Sequence, residues 1–249
     1  SVNLLPGHLM PLRDLRHRRA AHPDEMVGPA LLLCSDAGSF IIWAGGRYLT
    51  GDTGYAGQPQ ARHHNMITVG GVGQGDEGAH DVWRGMSQAA LDTVRITRGT
   101  ADATGVHVEA EAAGAYPAAA GLARFHRALT FDGKTTFTVE DAIETAAPKT
   151  VEWFLHADAP FAAAADGFLL DASSARLRVR VAAPAGSKTT TGPTNLMAPG
   201  KPGSITAGQQ EQRGYEIRVD VPAASAVATT RPDVPCRPEM VPFPRPKPA

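Results

Sequence analysis

Apolar and polar residues alternate along much of this chain, and the alternation predicts a succession of short β-strands. In residues 176–181, Leu177, Val179 and Val181 alternate with arginines, so one face of the segment is apolar and the other is charged. Strands of this kind are typical of antiparallel sheets that bury one face. Comparable segments lie at 93–97, 106–112, 125–131, 135–140, 150–156, 167–171 and 215–221. The sequence therefore predicts an all-β fold, an antiparallel β-sandwich of the supersandwich type.

The clearest hairpin signals lie in residues 39–78. A short apolar run, 40–44, and a second run, 47–50, are joined by a Gly-Gly pair, which is typical of a β-hairpin. The glycine-rich segment 71–75 lacks the Lys-Ser/Thr ending of a phosphate-binding loop. We interpret it as a hairpin turn.

Composition divides the chain into three segments. Residues 1–38 are predicted to be an irregular N-terminal segment, 39–230 the β-sandwich domain, and 231–249 an extended Pro-rich tail. The many prolines of the tail cannot donate hydrogen bonds to a sheet, so no inner strand is expected there. Residues 183–210 are rich in Gly, Pro, Ser and Thr and are predicted to form a long surface loop. A single short helical turn is expected at 87–93.

The charge balance gives the whole chain no preference for nucleic acid or for an anionic membrane. The sequence has 24 Lys+Arg against 25 Asp+Glu, a formal net charge of -1. A polyanionic ligand needs only a local basic cleft and stays possible. No apolar run approaches the length of a membrane span. Two cysteines, Cys34 and Cys236, are too few for a disulfide framework, and whether they pair is open.

The start of the sequence leaves the cellular compartment open. It has no initiator methionine and no basic segment followed by an apolar one. We interpret it as a mature N-terminus or the edge of a fragment.

Candidate metal ligands cluster in the N-terminal quarter of the chain. His22, Asp52 and His64 offer two imidazoles and one carboxylate, a common set for zinc with one position left to water. Their spacing matches no zinc finger or ribbon, so surface histidines and a turn-forming aspartate remain the alternative. If residues 62–64 form a strand, Arg62 and His64 share one face and His63 points the other way. His63 is then not expected to bind the same ion.

The rest of the chain carries weaker chemical signals. There is no Gly-x-Ser-x-Gly motif, and neither cysteine has a histidine close in sequence. His107, His126 and His156 lie within predicted strands, and we interpret them as half-buried histidines with satisfied hydrogen bonds.

Three motifs resemble those of a known family. They are HPD from His22, SFIIWAGGRYLTGDTGY from Ser39 and HHNMITVGGVGQ from His63. Together they resemble the C-terminal β-domain of heparinase II/III-like polysaccharide lyases, and most of all the oligoalginate-lyase-like branch. Fainter similarity continues at 113–117, 126–127, 153–156 and 212–215.

The resemblance implies a structural zinc ion, Zn²⁺, held by His22, Asp52 and His64. Two departures concern this site: Ala20 stands where family members often have another histidine, and residues 26–38 form an insertion. The insertion makes the assignment of His22 the weakest of the three, and loss of a ligand would lower metal affinity sharply.

The resemblance also implies β-elimination at uronic acid units of an acidic polysaccharide or oligosaccharide, of the alginate or glycosaminoglycan type. In the family, substrate lies between the β-domain and an N-terminal α/α-toroid that supplies most catalytic groups. This sequence contains no toroid, so we expect a fragment or degenerate relative without full lyase activity alone. We expect His63 and Tyr55 to face the substrate and Arg62 to meet a carboxylate. Action in the bacterial periplasm or outside the cell is expected, with the cytoplasm as the alternative.

A second hypothesis is a non-catalytic carbohydrate-binding β-sandwich. It would use exposed aromatic side chains as a stacking platform. The candidates are Trp43, Tyr48, Tyr55 and Trp83. A structural domain whose histidines bind nothing is the third possibility.

Overall fold

The computed structural model describes residues 28–32, 37–44, 47–51, 60–76, 83, 85–102, 104–173, 175–197, 212–223 and 236–241. The strands in these ranges are β1 (Gly28–Leu32), β2 (Ser39–Ala44), β3 (Arg47–Tyr48), β4 (Ile67–Val69), β5 (Arg95–Asp102), β6 (Gly105–Glu111), β7 (Leu122–Phe131), β8 (Phe137–Thr145), β9 (Val151–Ala157), β10 (Phe161–Ala164), β11 (Gly167–Asp171), β12 (Arg176–Val181), β13 (Lys188–Met197), β14 (Gln212–Val221) and β15 (Cys236–Val241). One short helix, α1 (Gln88–Leu91), begins after Ser87, whose hydroxyl accepts a hydrogen bond from Ala90 N.

The described strands form three antiparallel sheets. The small sheet has the order β1-β2-β3, the large one β10-β11-β12-β15-β8-β7-β6-β5, and the third β13-β14-β9-β4. Buried residues from all three sheets form one hydrophobic cluster. The predicted β-sandwich is therefore confirmed.

The core follows the alternation seen in the sequence. Leu177 and Val179 are fully buried, while the arginines between and beside them bind Asp166 and Asp171 at the surface. Phe40 of β2 and Phe125 of β7 are likewise buried in the shared cluster. Each such side chain contributes about 1.5–3 kcal/mol through burial.

The hairpin turn predicted at 71–75 begins one residue earlier. Val69 and Val72 exchange two backbone hydrogen bonds across Gly70 and Gly71. Both glycines have positive φ, 59° and 77°, as a type I′ turn between antiparallel strands requires.

Two segments differ from the sequence prediction. Part of the expected loop 183–210 is the strand β13, where threonines favour extended backbone and Pro193 is tolerated because β13 lies at a sheet edge. Part of the tail, predicted to contain no inner strand, is β15, which lies between β12 and β8. It pairs with β12 at six positions but with β8 only at Cys236, so Pro238 interrupts little of a ladder on that side.

The N-terminal segment predicted to be irregular contributes β1, which pairs with β2 along its whole length. Cys34 lies outside the described residues. No helix among the described residues has the length and apolar character needed to cross a membrane.

A buried ion pair joins the large sheet to the loops next to β4. Arg127 of β7 donates two hydrogen bonds to Asp141 of β8, at 2.7 and 2.6 Å. Its remaining nitrogen donates to the carbonyl oxygens of Gly38 and Asn65, and Trp153 donates to Asp141. Because every charged atom finds a partner, the pair can stay in the core. It thereby fixes the segment that carries His63 and His64.

Candidate functional site

The outer face of the third sheet carries a group of ionisable side chains. His156 and Phe154 alternate along β9, and their register partners on β14 are Glu216 and Arg218. His156 Nε2 lies 3.6 Å from Glu216 Oε2, and its ring stacks on Phe154 with the ring centres 6.0 Å apart. The guanidinium group of Arg218 also lies over the Phe154 ring, 5.7 Å from the ring centre. The opposite face of the same strands packs into the core.

A 3-10 turn, Ala61–His63, contacts this sheet and brings two more histidines to it. His63 is 6% exposed and His64 is completely buried, whereas Arg62 between Ala61 and His63 is exposed. The strand alternation predicted for residues 62–64 is wrong, because the chain turns here. Both histidines therefore lie on the protein side of the turn. We call His63, His64, His156 and Glu216 the buried histidine cluster.

Asn65 fixes the backbone around this cluster. Its side-chain nitrogen donates to Phe40 O at 2.7 Å and to Gly51 O at 3.1 Å. Its side-chain oxygen accepts from His156 N at 2.8 Å, and Gly51 N donates to His156 O at 2.6 Å. One amide thus ties β2, β9 and the residue preceding Asp52 to the histidine turn.

The environment controls the protonation of His63. Burial, followed by the positive charge of Arg62 and the neighbouring His156 and His64, lowers the pKa of His63 from 6.5 to about 4. The imidazole is therefore neutral at neutral pH. Burial works against ionisation of Glu216, but His156, Thr194 and Arg218 outweigh it and lower the pKa of that carboxyl. The cluster thus combines a neutral imidazole with a carboxylate.

A small cavity opens beside the cluster. It has a volume of about 110 Å³, and its lining includes two arginines and two glutamates, Arg62, Arg218, Glu152 and Glu216. Arg62 stands at this cavity as an exposed cation, next to the neutral His63. Arg62 thus offers an exposed cation to an anionic group, although the two arginines of the cavity lining are balanced by two carboxylates.

The structure describes half of the residues predicted for the site. His22, Asp52 and Tyr55 lie outside the described residues. His63, His64 and Arg62 are brought together as stated above. In the described ranges no three His, Cys, Asp or Glu side chains are arranged to hold a metal ion.

The sequence analysis did not assign His156 or Glu216 to the site. His156 is fully buried rather than half-buried, and its Nδ1 has no hydrogen-bond partner within the part of the chain that the structure describes. Both residues belong to or adjoin segments with faint family similarity, 153–156 and 212–215, which was the available signal. No local spacing connects them to His63, because only the pairing of β9 with β14 and the turn at 61–63 does so.

A second histidine group lies on the large sheet. His107 of β6 contacts Thr130 at 2.9 Å and Glu109 at 2.6 Å, and His126 of β7 lies 3.5 Å from Glu109. The side chains of His107, His126 and Glu109 are all partly exposed to solvent. We call His107 and His126 the exposed histidine pair. The prediction of half-buried histidines with hydrogen-bond partners is confirmed for His107.

The structure describes three of the four aromatic residues proposed as a stacking platform. Trp43 and Tyr48 are register partners on β2 and β3, and both line one cavity. Trp83 is half-buried and packs against the core. Tyr55 lies outside the described residues.

Comparison with known proteins agrees with the fold. Residues 32–201 match the family described as heparinase II/III-like, C-terminal. No curated protein matches the sequence. Among solved structures, the chain is similar to a heparinase III, with 14% identity and a TM-score of 0.56, covering 83% of this chain and 29% of that one.

The heparan sulfate lyase HepC from Pedobacter heparinus is similar at 13% identity and a TM-score of 0.55. That match covers 84% of this chain and 31% of that one, so the chain spans less than a third of the length of either structure. At these identities the structural likeness establishes the fold, and the sequence match establishes the family. The chain belongs to the heparinase II/III-like C-terminal family, a family of polysaccharide lyase domains.

Proposed function

We propose that this chain is the β-domain of a lyase that cleaves uronic-acid-containing glycans by β-elimination. The observation that carries the proposal is the buried histidine cluster with the exposed Arg62 at its edge, in a domain of a lyase family. An α/α-toroid domain would be its partner, supplying the remaining catalytic groups. Of the possible substrates, we propose an oligouronate of the alginate type, on the motif similarity to oligoalginate lyases. The periplasm or the cell exterior is the proposed place of action.

The chemistry of β-elimination explains which groups the site needs. A positive charge must neutralise the uronate carboxylate, which acidifies the proton on the neighbouring ring carbon. A base removes that proton and an acid protonates the leaving oxygen. Arg62 is proposed to bind the carboxylate. His63 is kept neutral beside it and can orient the sugar by a hydrogen bond without repelling Arg62, while Tyr55 is proposed to face the same cleft.

The proposed metal is zinc, held by His22, Asp52 and His64. The donor set suits the ion, because two imidazoles and one carboxylate are common zinc ligands. Support comes from the complete burial of His64 and from Asn65, whose amide holds Gly51, the residue before Asp52. When bound, zinc would stabilise the loops bordering the cleft, since β-elimination needs no hydrolytic nucleophile.

Binding of acidic oligosaccharides tests the proposed substrate class. A tetramannuronate and a heparan sulfate tetrasaccharide would be titrated into the 249-residue chain by calorimetry. Arg62→Gln should weaken binding of the mannuronate about tenfold or more, because a charge-assisted hydrogen bond is lost. Arg124→Gln is the matched control, because it replaces an exposed arginine that lies on the large sheet, and it should bind like the parent. Binding that ignores Arg62 would overturn the proposal, and a preference for heparan sulfate would overturn the alginate assignment.

Metal content tests the zinc site. The purified chain should contain about one zinc ion per molecule by mass spectrometry. His64→Ala and Asp52→Asn should lose the metal and melt at lower temperature, whereas His126→Ala on the large sheet should keep it. The conservative Asp52→Asn removes a charge with almost no change of shape, so its result does not depend on a core cavity. A metal-free parent chain after growth with zinc would reject the site.

A further inference from the structure

A second cavity lies away from Arg62, between the small sheet and the ends of β9 and β11. Its volume is about 590 Å³, large enough for a sugar unit, and its lining includes Trp43, Tyr48, Arg47, Asp158 and Asp171. Leu49 and Leu170, both buried, form an apolar floor. The cavity therefore combines flat aromatic rings, an apolar base and polar groups, which is the composition of a small-molecule site.

The aromatic residues are placed side by side. Trp43 and Tyr48 are directly opposite each other on adjacent antiparallel strands, so their side chains leave the same face of the hairpin. Tyr48 is 62% exposed, and among the described residues only Ile96 is another exposed large hydrophobic side chain. Aromatic rings with a polar tip are suited to a ligand that has both apolar C–H faces and hydroxyl groups.

The polar groups at the cavity are held in position. Arg47 donates to Ala172 O at 2.5 Å and to Ser173 Oγ at 2.8 Å. Asp171 accepts from Ser173 N at 3.0 Å and from Arg176 Nε at 2.9 Å. Ser173 itself has a positive φ of 63°, a conformation that costs a non-glycine residue of order 1–3 kcal/mol. This loop is therefore constrained by contacts with Arg47 and Asp171.

The charges at the cavity favour an uncharged ligand. The lining carries the carboxylates of Asp158 and Asp171 against the guanidinium group of Arg47, and Asp171 also pairs with Arg176 outside the lining, so there is no net positive charge to attract a uronate. Carboxylates accept hydrogen bonds from sugar hydroxyls, and guanidinium nitrogens donate to sugar oxygens.

We propose that the cavity lined by Trp43 and Tyr48 is a binding site for a neutral pyranose unit of an oligosaccharide. The sugar ring packs on the two aromatic side chains, and its hydroxyl groups bond to Asp158 and Arg47. The site acts independently of the proposed lyase reaction. It gives the domain a way to hold a neutral saccharide through a surface separate from the buried histidine cluster.

A matched pair of oligosaccharides tests the proposal. Cellotetraose and its C6-oxidised counterpart, tetraglucuronate, differ in carboxylate charge and share the same backbone. Each is titrated into the full chain while the indole N–H signal of Trp43 is followed by NMR. Cellotetraose should shift this signal saturably, and tetraglucuronate should bind at least about tenfold more weakly at the same signal. The proposal would be overturned if cellotetraose gave no response at 10 mM, a concentration on the order of the weakest specific binding. It would also be overturned if the uronate bound equally well.

Variants separate binding from folding. Tyr48→Ala should weaken cellotetraose binding about tenfold or more and leave the melting temperature unchanged, because the side chain is mostly exposed. Ile96→Ala removes the other exposed large hydrophobic side chain and should bind like the parent. Arg62→Gln should also leave cellotetraose binding unchanged, even if it abolishes uronate binding, so the two proposals fail separately. Unaltered binding by Tyr48→Ala, or a lowered melting temperature that shows Tyr48 to be covered, would contradict the site.

Discussion

The buried histidine cluster and the exposed histidine pair contain the same residue types in very different settings. His63, His64 and His156 are buried around Glu216, whereas His107 and His126 share Glu109 on a solvated sheet face. In the first group burial changes the chemistry, and the pKa of His63 falls to about 4. In the second, a hydrogen bond from His107 lowers the pKa of Glu109.

The difference shows that environment, more than residue type, distinguishes a candidate site from a surface contact. A desolvated imidazole is held neutral and in one place by its neighbours, at a cost in stability. A half-exposed histidine next to a carboxylate is screened by water and contributes little. Three changes test this difference, and they alter the buried ion pair of Arg127, then His63, then Asn65.

The largest effect is expected from removing the ion pair beneath the buried cluster. Arg127→Met leaves Asp141 as a buried carboxylate whose remaining side-chain donor among the described residues is Trp153, and it removes the donor to Asn65 O. The free energy of unfolding should fall by about 3–5 kcal/mol. Urea denaturation measures the change. Arg124→Met, which removes an exposed arginine near Glu111 and Glu144, should cost only about 0–1 kcal/mol. Equal losses in both variants would mean that burial does not separate the two arginines.

Acid should destabilise the protein through His63. Its folded pKa of about 4 lies below the unfolded value of 6.5, so the unfolded chain binds more protons between these pH values. The contribution of neutral His63 to the free energy of unfolding is therefore fully present above pH 6.5. It is lost as the pH falls towards 4, by at most roughly 3 kcal/mol. Unfolding of the metal-free chain, measured from pH 7.5 to 4, reports this loss.

His63→Gln should reduce the slope of unfolding free energy against pH, whatever its effect on stability at pH 7. The matched change in the exposed pair, His107→Gln, should retain the steep decline of the parent. If the free energy of unfolding of His63→Gln falls with pH as steeply as that of the parent, His63 is not desolvated in solution.

A smaller effect is expected from the amide that links the strands around the cluster. Asn65→Ala removes the acceptor for His156 N and the donor to Phe40 O and Gly51 O. Leaving these buried groups unsatisfied should cost about 1–3 kcal/mol. Asn195→Ala, on the exposed edge strand β13, should be nearly neutral by the same denaturation measurement. A neutral Asn65→Ala would show that water replaces the amide without loss.

Much of the fold was predictable because it depends on local alternation. The strands β6, β7, β9, β12 and β14 were predicted close to their observed positions, and α1 was found within the expected turn. The predictions were wrong in two segments whose composition favours a loop or an extended tail. Threonine-rich β13 and proline-containing β15 are strands because partners on neighbouring strands satisfy their backbones.

The candidate site was only half predictable. His63, His64 and Arg62 were found from their place in one motif, but the strand assumed for them was a 3-10 turn. His156 and Glu216 come from distant segments, and nothing local separates them from His107 or His126. Within the large sheet, β6 and β7 bring those two histidines to solvent, although they follow the same period-2 rule as His156.

The sequence by itself determined that this protein is an antiparallel β-sandwich of the heparinase II/III-like family, because period-2 alternation and the motifs of residues 39–78 are local properties. Only the tertiary structure decided which histidines share a site and that His63 is neutral. The physical reason is that desolvation and register are collective: both depend on which strands pair and on what covers them, and the chain alone does not carry that information at any one position.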